Sequence, residues 1–193
     1  MTEKTIVSDK KKKVPVRTIV LCGFFAALIA IGAFIQIPIP LLSFSLQTMF
    51  VSLAGMLLGR KAGVVSVLIY IAVGLAGLPI FSRGGGPGYV LTPSFGFLIG
   101  FVLYTYFTGY FTEKLKALTM KNLILAQLPG LFLMYAVALP YYYMISVLYL
   151  NTEIGVSVLL LQCFVWMLPG EMVKCILAAW MGKRLIPVLR KNN

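Results

Sequence analysis

Charged residues in this chain are confined to short breaks between long apolar runs, and that segregation limits the possible folds more than any motif does. Hydrophobic residues make up 60% of the sequence and charged residues only 11%, whereas a soluble domain typically carries about 25% charged residues. At roughly 20 apolar residues per span, the 193 residues have room for about six membrane helices in one domain. The runs are continuous rather than alternating, which argues against a membrane β-barrel. The fold class expected is therefore an all-α membrane protein with six transmembrane helices.

The net charge of +12 raises the question of nucleic acid, and the positions of the charges answer it. Lys4, Lys10, Lys11, Lys12, Lys13 and Arg17 crowd the N-terminus, Arg60 and Lys61 form a pair, and Lys114, Lys116 and Lys121 form a third group. Lys183, Arg184, Arg190 and Lys191 close the chain, leaving only Arg83 and Lys174 apart. The groups fall at alternate ends of the apolar segments, as the positive-inside rule requires of cytoplasmic loops. Both termini are then cytoplasmic, with an even number of spans between them. Residues 1–17 read as a basic tail facing anionic lipid, residues 18–188 as the membrane domain, and residues 189–193 as a second short tail. The lipid bilayer is the expected partner of these charges, and nucleic acid is not.

The first span runs from about Thr18 to Ile35. Its Gly23, Ala27, Ala26 and Ala30 stand at four-residue offsets that let another helix approach closely, either within the chain or from a partner. Gln36 to Ser45 holds Pro38 and Pro40 and is not expected to be helical. Leu46 to Leu58 is short for a span at 1.5 Å per residue, so it is expected either to be tilted less or to start inside the membrane depth beneath that loop, where non-helical backbone is tolerated if it lines a cavity. Arg60-Lys61 marks a return, and a third span covers about Gly63 to Leu78. Pro79 to Pro93 contains Gly84, Gly85, Gly86 and Gly88 and reads as an outside loop without regular helix. A fourth span covers about Ser94 to Phe111, and a kinked fifth about Asn122 to Leu150. Tyr141, Tyr142 and Tyr143 lie in that fifth span and fit an interfacial belt or a pocket lining. The sixth span, about Val156 to Trp180, contains Pro169 and should kink there.

No enzyme constellation is present, so no catalytic residue is assigned. The chain has no histidine, no nucleophile elbow and no phosphate-binding loop of its own. Cys22, Cys163 and Cys175 all lie in apolar runs, with no spacing suited to a metal or a disulfide framework. No cofactor and no metal are expected. What remains is Glu171 and Lys174, three residues apart in the sixth span and so on one helix face. A charge at membrane depth is costly and is functional by default. The two either neutralise each other or meet a ligand. Buried ion pairs are weak devices for stability, which favours the ligand. Arg83, the lone outside cation, is either a solvated loop residue or an anchor for an anionic group.

Several motifs taken together resemble one family. Ile37-Pro38-Ile39-Pro40 with Phe44-Ser45-Leu46-Gln47-Thr48, Leu53 to Gly59, Gly74 to Phe81, Pro93 to Phe101, and Leu168-Pro169-Gly170-Glu171-Met172-Val173-Lys174 are similar, in order, to motifs of the BioY biotin transporters. Glu171 stands where the family pattern has aspartate. The resemblance implies a six-helix S component of an energy-coupling factor (ECF) transporter, in the plasma membrane of a prokaryote. Such a component binds its vitamin from outside and works with an EcfT-type membrane coupling subunit and two ABC-type ATPases. It implies biotin as ligand, with Glu171, Lys174, Gln47, Thr48, Arg83, Tyr89, Tyr142 and Trp166 about the site. It also implies that Gly23, Ala26, Ala27 and Ala30 face the coupling subunit. Other readings are an S component for a biotin-like acid such as lipoate, a scaffold subunit of a membrane complex, and a self-sufficient secondary transporter.

Overall fold

The computed structural model describes residues 15–38, 43–152, 155–161 and 166–191. Among them the regular structure is helical apart from one short ribbon. Helix α1 spans Val16–Phe34. Strands β1, Gln36–Pro38, and β2, Ser43–Ser45, pair antiparallel with Gln36 opposite Ser45. Helix α2 spans Gln47–Leu75 and α3 Phe95–Lys114. Helix α4 spans Met120–Met144 and runs on into a π-helical segment, Ile145–Tyr149. Short helix α5 covers Val156–Leu160, and α6 covers Leu168–Lys191.

Helix α2 is two helices joined without a loop. Gly59 has φ 80° and ψ 175°, a conformation that glycine alone adopts readily. Residues 47–58 and 60–75 therefore fold back as two arms. Gln47 Nε2 donates to Tyr70 Oη at 2.6 Å, although 23 residues of straight helix would hold them about 35 Å apart. The Glu113 carboxylate clasps this turn, accepting from the Arg60 N–H at 2.9 Å and facing Arg60 Nε at 3.4 Å. The return expected at Arg60-Lys61 is thus present, but it is made by one residue.

The bundle has two distinct ends. At one, Arg17 donates to the Leu189 carbonyl and Cys22 Sγ to the Ala62 carbonyl, which gathers the start of α1, the Gly59 turn and the end of α6. At the other, Gln36 Nε2 donates to the Ser82 carbonyl and Tyr70 Oη to the Ile80 carbonyl. Those bonds bring the ribbon and the glycine loop together. The loop is not irregular throughout: Pro87–Leu91 forms one 3-10 turn. Phe81 plugs into the space over Gly74, where an added Cβ would lie 2.1 Å from its ring. Phe81 also packs edge-on to Tyr70 and against Tyr89.

Among the described residues four helices are long and apolar enough to cross a membrane: α1, α2, α3, and α4 with its π extension. Their outer faces carry exposed Ile19, Val20, Phe24, Leu68, Leu125 and Phe132, the surface a hydrocarbon solvent stabilises. This is a membrane protein. Helix α6 carries Glu171, Lys174, Lys183 and Arg184, so apolarity alone does not mark it as a span. The sixth segment differs from expectation in a second way. Instead of kinking inside a continuous helix, Pro169 is the second residue of α6, where a missing N–H has no intrahelical partner to lose.

Candidate functional site

Helix α6 starts beneath the glycine loop, and that start sets the geometry. Glu171 lies in its first turn, with its N–H bonded to the Met167 carbonyl at 3.0 Å. A carboxylate there is favoured by the helix dipole. Lys174 lies one turn on, and its Nζ meets Glu171 Oε1 at 2.5 Å. Both side chains are 4% exposed. Lys174 Nζ also donates to the Ser45 carbonyl of β2 at 3.0 Å, tying α6 to the ribbon.

The pair forms one wall of a cavity with about 710 Å³ of empty space, its mouth included. Polar groups come from Gln47, Thr48, Ser82, Arg83, Tyr89 and Ser94. Phe97, Leu98, Phe101, Met134, Tyr135 and Met167 supply an apolar body. Tyr89 Oη is held by Ser82 Oγ at 3.3 Å and Ser94 Oγ at 3.2 Å. Arg83 is exposed at the mouth. Two atoms stand out for what they lack. Glu171 Oε2 and Thr48 Oγ1 are buried with no hydrogen-bond partner among the described residues. A buried acceptor left unpaired costs about 1–3 kcal/mol, and more when charged. A ligand bearing donors relieves that cost.

Of the residues expected at the site, Glu171, Lys174, Gln47, Thr48, Arg83 and Tyr89 line this cavity, and Tyr142 and Trp166 do not. Tyr142 is buried against Leu159 and Met167 instead. Trp166 is 73% exposed, because it precedes α6 and turns away from the bundle. The tyrosine cluster is divided by helix rotation: Tyr141 Oη bonds the Val90 carbonyl, Tyr142 is buried and Tyr143 is 38% exposed. The α1 small residues divide likewise. Ala26 is buried in the core and Ala30 packs partly against it, whereas Gly23 and Ala27 face outward and an added Cβ on Gly23 would touch nothing. Cys22 and Cys175 are buried, and Cys163 lies outside the described residues. No group of three or more metal-ligating side chains forms among the described residues.

Sequence reasoning missed a buried polar cluster directly below the cavity. Gln127 Oε1 accepts from Ser52 Oγ at 2.7 Å and from Tyr104 Oη at 3.4 Å. Its Nε2 donates to the Leu123 carbonyl at 3.0 Å and to the Cys175 carbonyl at 3.1 Å. One glutamine in an apolar helix was the only signal available.

Known proteins share this fold and much of this sequence. A solved S-component for biotin from an ECF-type ABC transporter superposes with a TM-score of 0.76 and 30% identity, over 88% of this chain and 90% of that one. A probable biotin transporter BioY of Lysinibacillus sphaericus is 44% identical over 173 residues, 90% of this chain and 88% of that protein. A biotin transporter BioY of Thermotoga maritima is 32% identical over 170 residues, 88% of this chain and 95% of that protein. The sequence model of the BioY family matches residues 6–191, nearly the whole length, and the chain belongs to the BioY family.

Proposed function

We propose that this chain is the substrate-binding S component of an ECF transporter and that it captures biotin for uptake. The observation that carries this reading is Glu171 Oε2, a buried carboxylate oxygen without a hydrogen-bond partner among the described residues, on a residue that lines the cavity beside an apolar wall. Biotin offers a head of two ureido N–H groups on an apolar bicycle, with a carboxylate tail. The head fits against Glu171, with the ureido oxygen toward Lys174. The rings rest against Phe97, Phe101 and Met134, and the tail reaches Arg83 at the mouth. Lipoate has no N–H groups to offer Glu171 and would leave that oxygen unpaired.

On this reading six segments cross the plasma membrane of a prokaryote: α1, the two arms of α2, α3, α4 with its extension, and α6. The end holding Arg17, Arg60 and Leu189 is cytoplasmic, which follows from the basic residues gathered there. The outward face of α1 at Gly23 and Ala27 meets an EcfT-type coupling subunit, and two ABC-type ATPases supply the energy. The chain is a transport subunit and performs no chemistry itself.

Equilibrium binding in mild detergent tests the assignment. Glu171→Gln should weaken biotin by about 100-fold, the scale of a charged buried hydrogen bond. Lys174→Ala should also bind less tightly. If both variants bind biotin as well as the parent, the site is wrong. If the parent shows no heat or melting shift with saturating biotin, the ligand is wrong.

A further inference from the structure

The buried glutamine below the cavity is placed to control the site without touching its contents. An amide has two donor hydrogens and an oxygen that accepts twice, and Gln127 uses all of that capacity. Ser52 and Tyr104 share its oxygen, and the Leu123 and Cys175 carbonyls take its N–H groups. Gln127 and Ser52 are 0% exposed and Tyr104 is 1% exposed. The four partners lie on α2, α3, α4 and α6, so a single side chain joins four helices at one level.

The bond to the Cys175 carbonyl is the informative one. Cys175 follows Lys174 directly and is one turn beyond Glu171. A donor on α4 that grips this carbonyl fixes how far α6 is rotated and how deep it sits. Tyr104 Oη meets Cys175 Sγ at 3.5 Å, a second hold on the same residue. Above this point Lys174 Nζ donates to the Ser45 carbonyl, and that lysine is itself a site residue. Turning α6 by a few degrees would swing Glu171 and Lys174 across the cavity wall, while Arg83 and Tyr89, carried by a different segment, would stay in place.

We propose that Gln127 is a positioning residue that sets ligand discrimination: through the Cys175 carbonyl it holds the register of α6 and so fixes which head group the Glu171–Lys174 pair accepts. The inference rests on the biotin reading above and concerns a residue outside the cavity. It makes discrimination at the head group, and not at the tail, the property that Gln127 governs.

The test compares three ligands on purified full-length protein: biotin, 2-iminobiotin with an altered ureido carbon, and biotin methyl ester with an altered tail. Gln127→Leu removes the hub, and Ser52→Ala is a smaller lesion that loosens one of its bonds. Gln127→Leu should weaken biotin about tenfold, the upper range for one interhelical hydrogen bond. It should shrink the biotin-to-iminobiotin affinity ratio about fivefold and leave the biotin-to-methyl-ester ratio unchanged. Ser52→Ala should shrink the first ratio about threefold in the same direction. In a Lys174→Ala background the Gln127→Leu effect on the head-group ratio should vanish. A merely structural role would lower the melting temperature and leave both ratios as they are, and that result overturns the proposal. Should Gln127→Leu fail to fold, an unchanged head-group ratio in Ser52→Ala overturns it alone. Absence of biotin binding by the parent would refute the biotin reading instead, and it would show before any variant is made.

Discussion

Two buried polar clusters sit one helical turn apart, and they differ in how completely they are satisfied. Around Gln127 each amide hydrogen and the carbonyl oxygen have protein partners. Around Glu171 one carboxylate oxygen has none among the described residues, and neither does the Thr48 hydroxyl, which lines the same cavity. Both clusters are buried within the bundle, where an unpaired polar group is expensive. The satisfied cluster therefore acts as structure. The unsatisfied one holds a cost that a donor-bearing ligand would remove. Burial alone does not separate the two, since Glu171 and Lys174 are as deeply enclosed as Gln127; the count of partners does.

The largest expected effect comes from replacing the ion pair as a unit. Glu171→Leu with Lys174→Met should abolish measurable biotin binding, a loss above about 1,000-fold. The ligand-free melting temperature should hold or rise, because a buried pair replaced by apolar residues is often neutral or stabilising by about 1–4 kcal/mol. A steep fall in ligand-free stability would make the pair structural and erase the contrast. The hub should behave in the opposite way. Gln127→Leu removes the acceptor of the Ser52 hydroxyl, one of the two partners of Tyr104 Oη and the interhelical donor to the Cys175 carbonyl, and should lower ligand-free stability by about 2–3 kcal/mol in reversible unfolding. An unchanged melting temperature would show the hub to be slack.

Smaller effects sharpen the comparison. Thr48→Val removes an unpaired buried hydroxyl at nearly constant volume. The ligand-free protein should gain up to about 1 kcal/mol, while biotin should bind about threefold to tenfold more weakly. A loss of stability there would mean that the hydroxyl already has a partner in the ligand-free protein. Trp166→Ala should change biotin affinity less than about twofold, since surface positions away from a site usually shift energies by under 0.5 kcal/mol. A larger loss would place that exposed ring over the bound ligand.

Much of the site was legible because its polar residues are out of place in their segments. Glu171 and Lys174 are charges in an apolar run, Arg83 is a lone cation, and Gln47 and Thr48 adjoin a proline-broken stretch. Residues chosen for being aromatic fared differently. Tyr142 and Trp166 depend on the rotation of their helix ends, which composition does not report. The Arg60-Lys61 return was visible as charge, but the single-residue turn at Gly59 depends on its φ of 80°. The ribbon of β1 and β2 was legible only as a place where helix fails.

Hydropathy and charge are properties that each residue brings with it, so they add along the chain. From them follow the membrane environment and the grouping of basic residues, while the family follows from the resemblance of several ordered motifs. Hydrogen-bond satisfaction belongs to pairs. Ser52 and Gln127 are 75 residues apart, Gln127 and Cys175 are 48 apart, and Lys174 reaches back 129 residues to Ser45. Only the packed helices decide which buried groups find one another and which, like Glu171 Oε2, are left facing the cavity.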